Sequence, residues 1–212
     1  MKPNINSKEY EAAISVERMR ESDRYTIENF ADSKTLMYRA AAGIFSSADW
    51  SHKKIAIITG SGNNGGDGYA LACILRDNGF SADIFRASER FSDDGKYYYD
   101  LAVSKGANNL PFLADTNLCG YDIVVDCLLG TGFSGEPCGT IADAIKAINS
   151  SGAFVISADI NSGLNGDTGE SILAVKSDLT VSIGFYKKGM FLGNAPSLVG
   201  ELVNIDIGIV LI

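Results

Sequence analysis

The stretch KIAIITGSGNNGGDGYALA, Lys54 to Ala72, decides how the rest of the chain is read. It opens on an apolar, β-branched run, Ile55 to Thr59. That composition and length suit a strand buried on both faces, as in a parallel sheet. Gly60, Gly62, Gly65, Gly66 and Gly68 follow, separated only by Ser61, Asn63, Asn64 and Asp67. Tyr69, Leu71, Ala72, Ile74 and Leu75 then recur at helical spacing. The order is strand, tight glycine turn, helix. Glycines admit positive φ and let a ligand approach the backbone. The free N–H groups at the start of the helix suit a phosphate or another anion.

Gly60-Ser61-Gly62-Asn63-Asn64-Gly65 fits the dinucleotide fingerprint G-x-G-x-x-G. That fingerprint also wants an acidic residue about 20 residues further on. The next strand, Ser81 to Arg86, runs instead into Phe85-Arg86-Ala87. Asn63, Asn64 and Asp67 crowd the turn with polar groups that a redox dinucleotide does not need, and a carboxylate there repels a pyrophosphate. The turn is therefore a polar ligand site of a kind other than an ordinary NAD oxidoreductase site.

Outward from this unit, the pattern alternates. Helices are expected over Glu9–Ser22, with Ala12, Ala13, Val16 and Met19 on one stripe, and over Lys34–Ser46, with Thr26 as an N-cap between them. Helices also fit Tyr69–Asn78 (closed by Gly79), Ser92–Ser104 (closed by Gly106) and Ile141–Asn149. Strands fit Ala82–Phe85, Tyr121–Asp126, Phe154–Ala158, Leu179–Ile183 and Glu201–Ile205. Tyr97, Tyr98 and Tyr99 cannot all face one side of a helix. Alternating strands and helices predict an α/β, three-layer Rossmann-like fold: a central, mostly parallel sheet with helices on both faces and an N-terminal helical arm. The 212 residues form one domain, with the arm over residues 1–50 and the core over 51–212.

Composition narrows the function. Apolar residues make up 46% of the chain and the net charge is −8. No basic cluster is present, which excludes nucleic acid and anionic membranes as partners. Cys73, Cys119, Cys127 and Cys138 show neither metal-ligand spacing nor any mark of secretion, so reduced thiols are expected. His52 is the only histidine. It precedes the first strand, at the surface, and leaves no histidine-based triad or metal site. No apolar run has membrane-spanning length and no signal peptide opens the chain, so a cytoplasmic protein is expected.

In doubly wound sheets ligands bind beyond the carboxyl ends of the strands. Four such ends carry polar, glycine-rich loops: Gly60–Gly68, Asp126–Glu136, Asp159–Asn165 and Gly184–Gly189. Parallel topology gathers them on one edge. Asp126 and Asp159 each open such a loop, and Asp206 ends the last strand. With Asn64 and Ser162, the two carboxylates Asp126 and Asp159 offer an oxygen-only set that suits a hard cation. Lys187 can neutralise a carboxylate or donate a proton.

These loops resemble the motifs of the NAD(P)HX epimerase family, the YjeF N-terminal domain. Asn63-Asn64-Gly65-Gly66-Asp67-Gly68 is similar to its first motif, and Asp126-Cys127-Leu128-Leu129-Gly130-Thr131-Gly132 to its D-x-x-x-G-T-G. Asp159-Ile160-Asn161-Ser162-Gly163-Leu164 resembles D-I-P-S-G-L, with Asn161 in place of proline. Gly184 to Gly189 resembles G-x-x-K-P-G, with Lys188 in the proline position. Leu36-Met37-Tyr38-Arg39-Ala40 resembles L-M-E-x-A, with Tyr38 in place of the acid.

The resemblance implies epimerisation of hydrated NADH and NADPH at C6 of the nicotinamide ring, which serves a partner dehydratase that is often fused behind this domain. It implies that Asn63, Asn64, Gly65, Gly66, Asp67, Gly130, Thr131, Gly132, Phe133, Ser134, Gly135, Glu136 and Asp159 bind the substrate. Asn64, Asp126 and Ser162 would hold one potassium ion per subunit. Asp159 would act as acid or base with Lys187 in support. The family also contains non-catalytic scaffolds, which is the alternative reading. The wide apolar faces of the arm predict a homodimer.

Overall fold

Strand β1 (Ile55–Thr59) sits between β2 (Ala82–Arg86) and β4 (Ile123–Cys127) in the computed structural model, which describes residues 1–212. β3 (Asn108–Pro111), β5 (Phe154–Ala158), β6 (Leu179–Ile183) and β7 (Glu201–Ile205) complete a seven-stranded sheet. Its order is β3-β2-β1-β4-β5-β6-β7 and every pairing is parallel. From β1 the chain runs one way to β2 and β3, then returns to β4 and builds the other way. The gap beyond the ends of β1 and β4 is the topological switch point.

Alternate residues of each strand feed separate cores. Ile57, Ile84 and Val125 pack under α3 (Ser33–Ser46), α4 (Asn63–Asp77) and α5 (Asp93–Ser104). Ala56, Ile58 and Val124 pack against α6 (Gly139–Asn149), whose Ala144, Ile145 and Ile148 are fully buried. A third, smaller core lies beneath two 3₁₀ turns at Lys188–Phe191 and Ala195–Ser197. The layers are as expected, though α6 alone is the helix on its face.

Several local expectations change. The helix expected over Glu9–Ser22 is two pieces, α1 (Lys8–Glu11) and α2 (Val16–Asn29). Between them the Ile14 N–H donates to Tyr186 O (2.9 Å), and the Lys188 N–H donates to Ile14 O (3.1 Å). A long-range backbone bridge therefore overrides local helix propensity. Ser15 then N-caps α2 through the Arg18 N–H. Thr26 is no cap: it lies inside α2, where its hydroxyl donates to Ser22 O and accepts from the Val210 N–H. β3 went unrecognised, because NNLP is polar, contains proline and pairs only with β2 at the sheet edge. α4 begins at Asn63 rather than Tyr69, so the second half of the glycine stretch is helix.

None of Gly60, Gly62, Gly65, Gly66 and Gly68 has positive φ. They serve close approach instead. A Cβ on Gly60 would collide with Leu128 O of the next loop, and one on Gly68 would stand 2.9 Å from Thr59 Cγ2. Gly79 and Gly106 are the positive-φ residues that end α4 and α5 as expected. Of the three tyrosines, Tyr97 is exposed and Tyr98 buried. The cysteines are free, and no helix is long and apolar enough to cross a membrane.

Candidate active site

A cleft of about 540 Å³ opens at the switch point. One wall is the ends of β1, β4 and β5: Asn63, Asn64, Asp67, Leu128 to Phe133, and Asp159. The opposite wall is the arm: Met19, Arg20, Asp23 and Ile27 of α2, with Leu36, Met37 and Ala40 of α3. The loops meet closely. A Cβ on Gly130 would lie 3.4 Å from Asn64 Cβ and 3.7 Å from Asp159 Oδ2. Ser134, Gly135 and Glu136 lie past the cleft rim and are exposed; Gly135 lines a separate shallow groove with Asn165 and Glu170. Gly65 and Gly66 are buried in the first turn of α4, behind the lining residues.

Asp159 and Lys187 form an ion pair at the floor. Lys187 is fully buried, and its Nζ also donates to Ile183 O at 2.9 Å. Asp159 retains 17% side-chain exposure, toward the cleft. Its φ is +64°, a left-handed conformation that aspartate tolerates better than most residues. Such backbone outliers gather at functional sites. An exposed lysine would be held by nothing; this one is held by a carboxylate and a carbonyl in a dry setting.

Asp126 has a different role. Its Oδ2 accepts from Ser157 Oγ (2.8 Å) and the Ser162 N–H (2.9 Å). Its Oδ1 accepts from Ser162 Oγ (2.5 Å) and the Leu128 N–H (3.2 Å). Burial pushes this carboxyl above its ordinary range, against those hydrogen bonds. The network runs on through Ser157 and Ser177 to Asn161, whose amide donates to Val175 O, Ser177 Oγ and Leu198 O. Asn161, in the motif's proline position, is thus a buried hub. Lys188, the other proline replacement, is exposed, and its backbone N–H makes the bridge to Ile14 that a proline could not.

Asn64 is left with an unpaired buried oxygen. Its Nδ2 donates to Leu129 O at 2.8 Å, while its Oδ1 is buried with no partner. A buried acceptor without a donor costs free energy unless something fills it. Asn64 Oδ1 with the Asp126 and Ser162 oxygens makes a donor set of one carboxylate and neutral oxygens. No three His, Cys, Asp or Glu side chains gather as a metal-binding group. That combination fits a large, singly charged cation better than a divalent one.

The sequence reading missed the arm's contribution. Asp23, Arg20 and Asp94 line the cleft. Burial pushes the Asp67 carboxyl well above its ordinary range, and the charges of Asp159 and Asp23 add to this. Asp23 is the one acid a turn beyond Met19 on the arm's inward face, a signal available in the sequence only once the arm is known to wall the cleft. Asp206 contributes nothing here: it is exposed and accepts from the Gly208 N–H in a local turn. Arg86, at the end of β2, pairs with Glu89 and Asn109.

The profile of the family described as "YjeF-related protein N-terminus" matches residues 33–189. The chain belongs to that family. As a YjeF N-terminal domain it is 33% identical over 205 residues to the NAD(P)H-hydrate epimerase of Oenococcus oeni, a match covering 92% of this chain and 96% of that protein. It is 36% identical over 192 residues to the bifunctional NAD(P)H-hydrate repair enzyme Nnr of Coxiella burnetii. That match covers 88% of this chain, which spans only 39% of the longer enzyme. Among solved structures, yeast ynu0 shares the fold, with a TM-score of 0.69, 20% identity, and coverage of 91% of this chain and 86% of that one.

Proposed function

We propose that this chain is an epimerase that interconverts the R and S forms of hydrated NADH and NADPH. The observation that carries the reading is the buried Lys187–Asp159 pair, set in the floor of a polar cleft at the switch point of a YjeF N-terminal domain. Relatives that match nearly end to end bear the name of that activity. Asp159 faces the cleft and moves a proton at the C6 hydroxyl. Lys187 fixes its carboxylate and opposes the negative charge around it. The glycine-rich turn, with the first N–H groups of α4 free of side-chain caps, takes the anionic half of the substrate.

A potassium ion held by Asn64, Asp126 and Ser162 is part of this proposal; the orphaned Asn64 Oδ1 supports it. When bound, it supplies positive charge beside the phosphates and ties three loops together. We also infer a homodimer. Phe30, Tyr25 and Tyr38 remain exposed on the arm, while Leu36, Met37, Ala40 and Ile44 are buried within the protomer. Light scattering at micromolar concentration tests this, and a monomer overturns it. A dehydratase that consumes one epimer is the functional partner, in line with the bifunctional repair enzyme matched above. The deciding experiment follows R-to-S interconversion of hydrated NADH and NADPH by chromatography. Interconversion above the spontaneous rate is expected; a spontaneous rate with purified, folded protein favours a non-catalytic scaffold.

A further inference from the structure

Inverting a carbon that carries a hydroxyl needs two proton transfers, one on each face. As the C6–O bond breaks, its electron pair leaves with oxygen, which takes a proton and departs as water. The positive charge left behind is shared between C6 and the ring nitrogen. Water then adds from the other side, and its surplus proton passes to a base. One acid and one base are required, on opposite walls, and nothing is oxidised or reduced. Asp159 supplies one wall. Paired with Lys187, it takes the part of the base.

We infer that Asp23, carried on the arm helix α2, is the second proton-transfer group, facing the ring from the wall opposite Asp159. This rests on the epimerase reading above. Asp23 lines the cleft from α2, whereas Asp159 and Asp67 line it from the strand ends. It lies well inside Val16–Asn29, where aspartate has no cap to provide and is a poor helix former. It has no hydrogen bond or ion pair. Arg20, one turn earlier, extends instead toward Thr131 O at 3.5 Å. A half-buried carboxyl with no structural partner, lining a ligand cleft, has no packing role to explain it.

Its surroundings suit an acid. Burial pushes the Asp23 carboxyl up to about 6; the charge of Asp159 adds to this and Lys187 opposes it. The groups facing it are Asp67 from α4, Asp159 and Lys187 from the strand-end loops, Asp94 from α5, and Arg20 on its own helix. Lys34 lies 3.8 Å from Asp94 and draws that charge outward. Two carboxyl groups in contrasting environments, one paired with a buried lysine and one disposed to keep its proton, divide the acid and base roles between them. When the other epimer is the substrate the roles exchange, and solvent resets the protons.

The test uses the full chain, hydrated NADH as substrate and hydrated NADPH as binding probe. Asp23→Asn is expected to slow interconversion in both directions by about 10²–10³-fold. Its affinity by titration calorimetry should stay within about threefold, and Asp23→Glu should recover at least about tenfold over Asp23→Asn. In the wild type, kcat/KM falls as pH rises through about 6, because the acid loses its proton; Asp23→Asn lacks that limb. Near-normal turnover by Asp23→Asn overturns the inference. Affinity lost in step with rate also overturns it, making Asp23 a binding residue. If the variants do not fold, a wild-type kcat/KM that is flat from about pH 5.5 to 8 overturns it alone. Inactive wild-type protein would instead overturn the epimerase reading.

Discussion

Asp126 and Asp159 stand at the ends of neighbouring strands, and each opens a glycine-rich loop. By sequence they are the same kind of residue; by structure they are opposites. Asp126 is solvent-free and accepts four hydrogen bonds from two serines and two backbone amides. Asp159 has a strained backbone, one charged partner and an open side toward the cleft. A carboxylate tied into four hydrogen bonds by its own loops holds those loops in place. One with a free lone pair facing substrate can move a proton. Satisfaction of hydrogen bonds, rather than position at a strand end, separates support from chemistry.

Four measurements can break or sharpen that contrast, the largest effect first. Asp159→Asn should reduce interconversion by about 10²–10⁴-fold while the far-ultraviolet spectrum is unchanged, since asparagine also tolerates positive φ. Substantial turnover by a folded variant would return Asp159 to a structural role. Asp126→Asn should act on stability first: its amide nitrogen would face one of the two donating N–H groups, that of Leu128 or that of Ser162, with a serine hydroxyl beside it. A loss of about 2–3 kcal/mol, read as a melting temperature lower by about 5–10 °C, is expected. An unchanged melting temperature would erase the distinction.

Asp23→Asn should move stability the other way. The folded protein binds the Asp23 proton more tightly than the unfolded chain does, since burial lifts that carboxyl to about 6. Its contribution to stability therefore weakens as pH rises from about 4 to 6 and is constant above. Removing the charge should gain about 1 kcal/mol at pH 7, after discounting for solvent, and nothing near pH 4. Differential melts at the two pH values check the sign; destabilisation at pH 7 would contradict it. Smallest is the cation effect. Replacing potassium by tetramethylammonium should lower the melting temperature by a few degrees, about 1–2 kcal/mol of ligand stabilisation. This difference should vanish in Asn64→Leu. Equal melts in both buffers would leave Asn64 Oδ1 without an occupant.

Much of this was open to inspection in the chain itself. The run from Ile55 to Thr59 and its counterparts at Ile123, Phe154, Leu179 and Glu201 are strongly apolar or β-branched and bounded by glycine or aspartate, so the parallel core follows from local pattern. The four loops follow from topology. What stayed hidden depends on distant contacts. Ile14 reads as helix until Tyr186 and Lys188 claim its N–H and C=O. Asn108 to Pro111 has no strand character apart from its pairing with β2. Asp23 looks like one more polar residue on a helix surface until the arm folds across the cleft.

The bridge between Ile14 and Lys187 joins points more than 170 residues apart. A ribosome delivers Ile14 before β1 and Tyr186 to Lys188 only after β6. The opening segment must therefore wait, unpaired, while β1 to β6 are made and assembled around their local β–α–β contacts. Only then can one docking event set the arm wall and the lysine loop together. Contacts of such separation come late and slowly in folding. The nascent protein would thus pass through a long interval with its sheet formed and its cleft one-sided, when a chaperone that shields the inner face of α2 would delay activity without touching the catalytic loops.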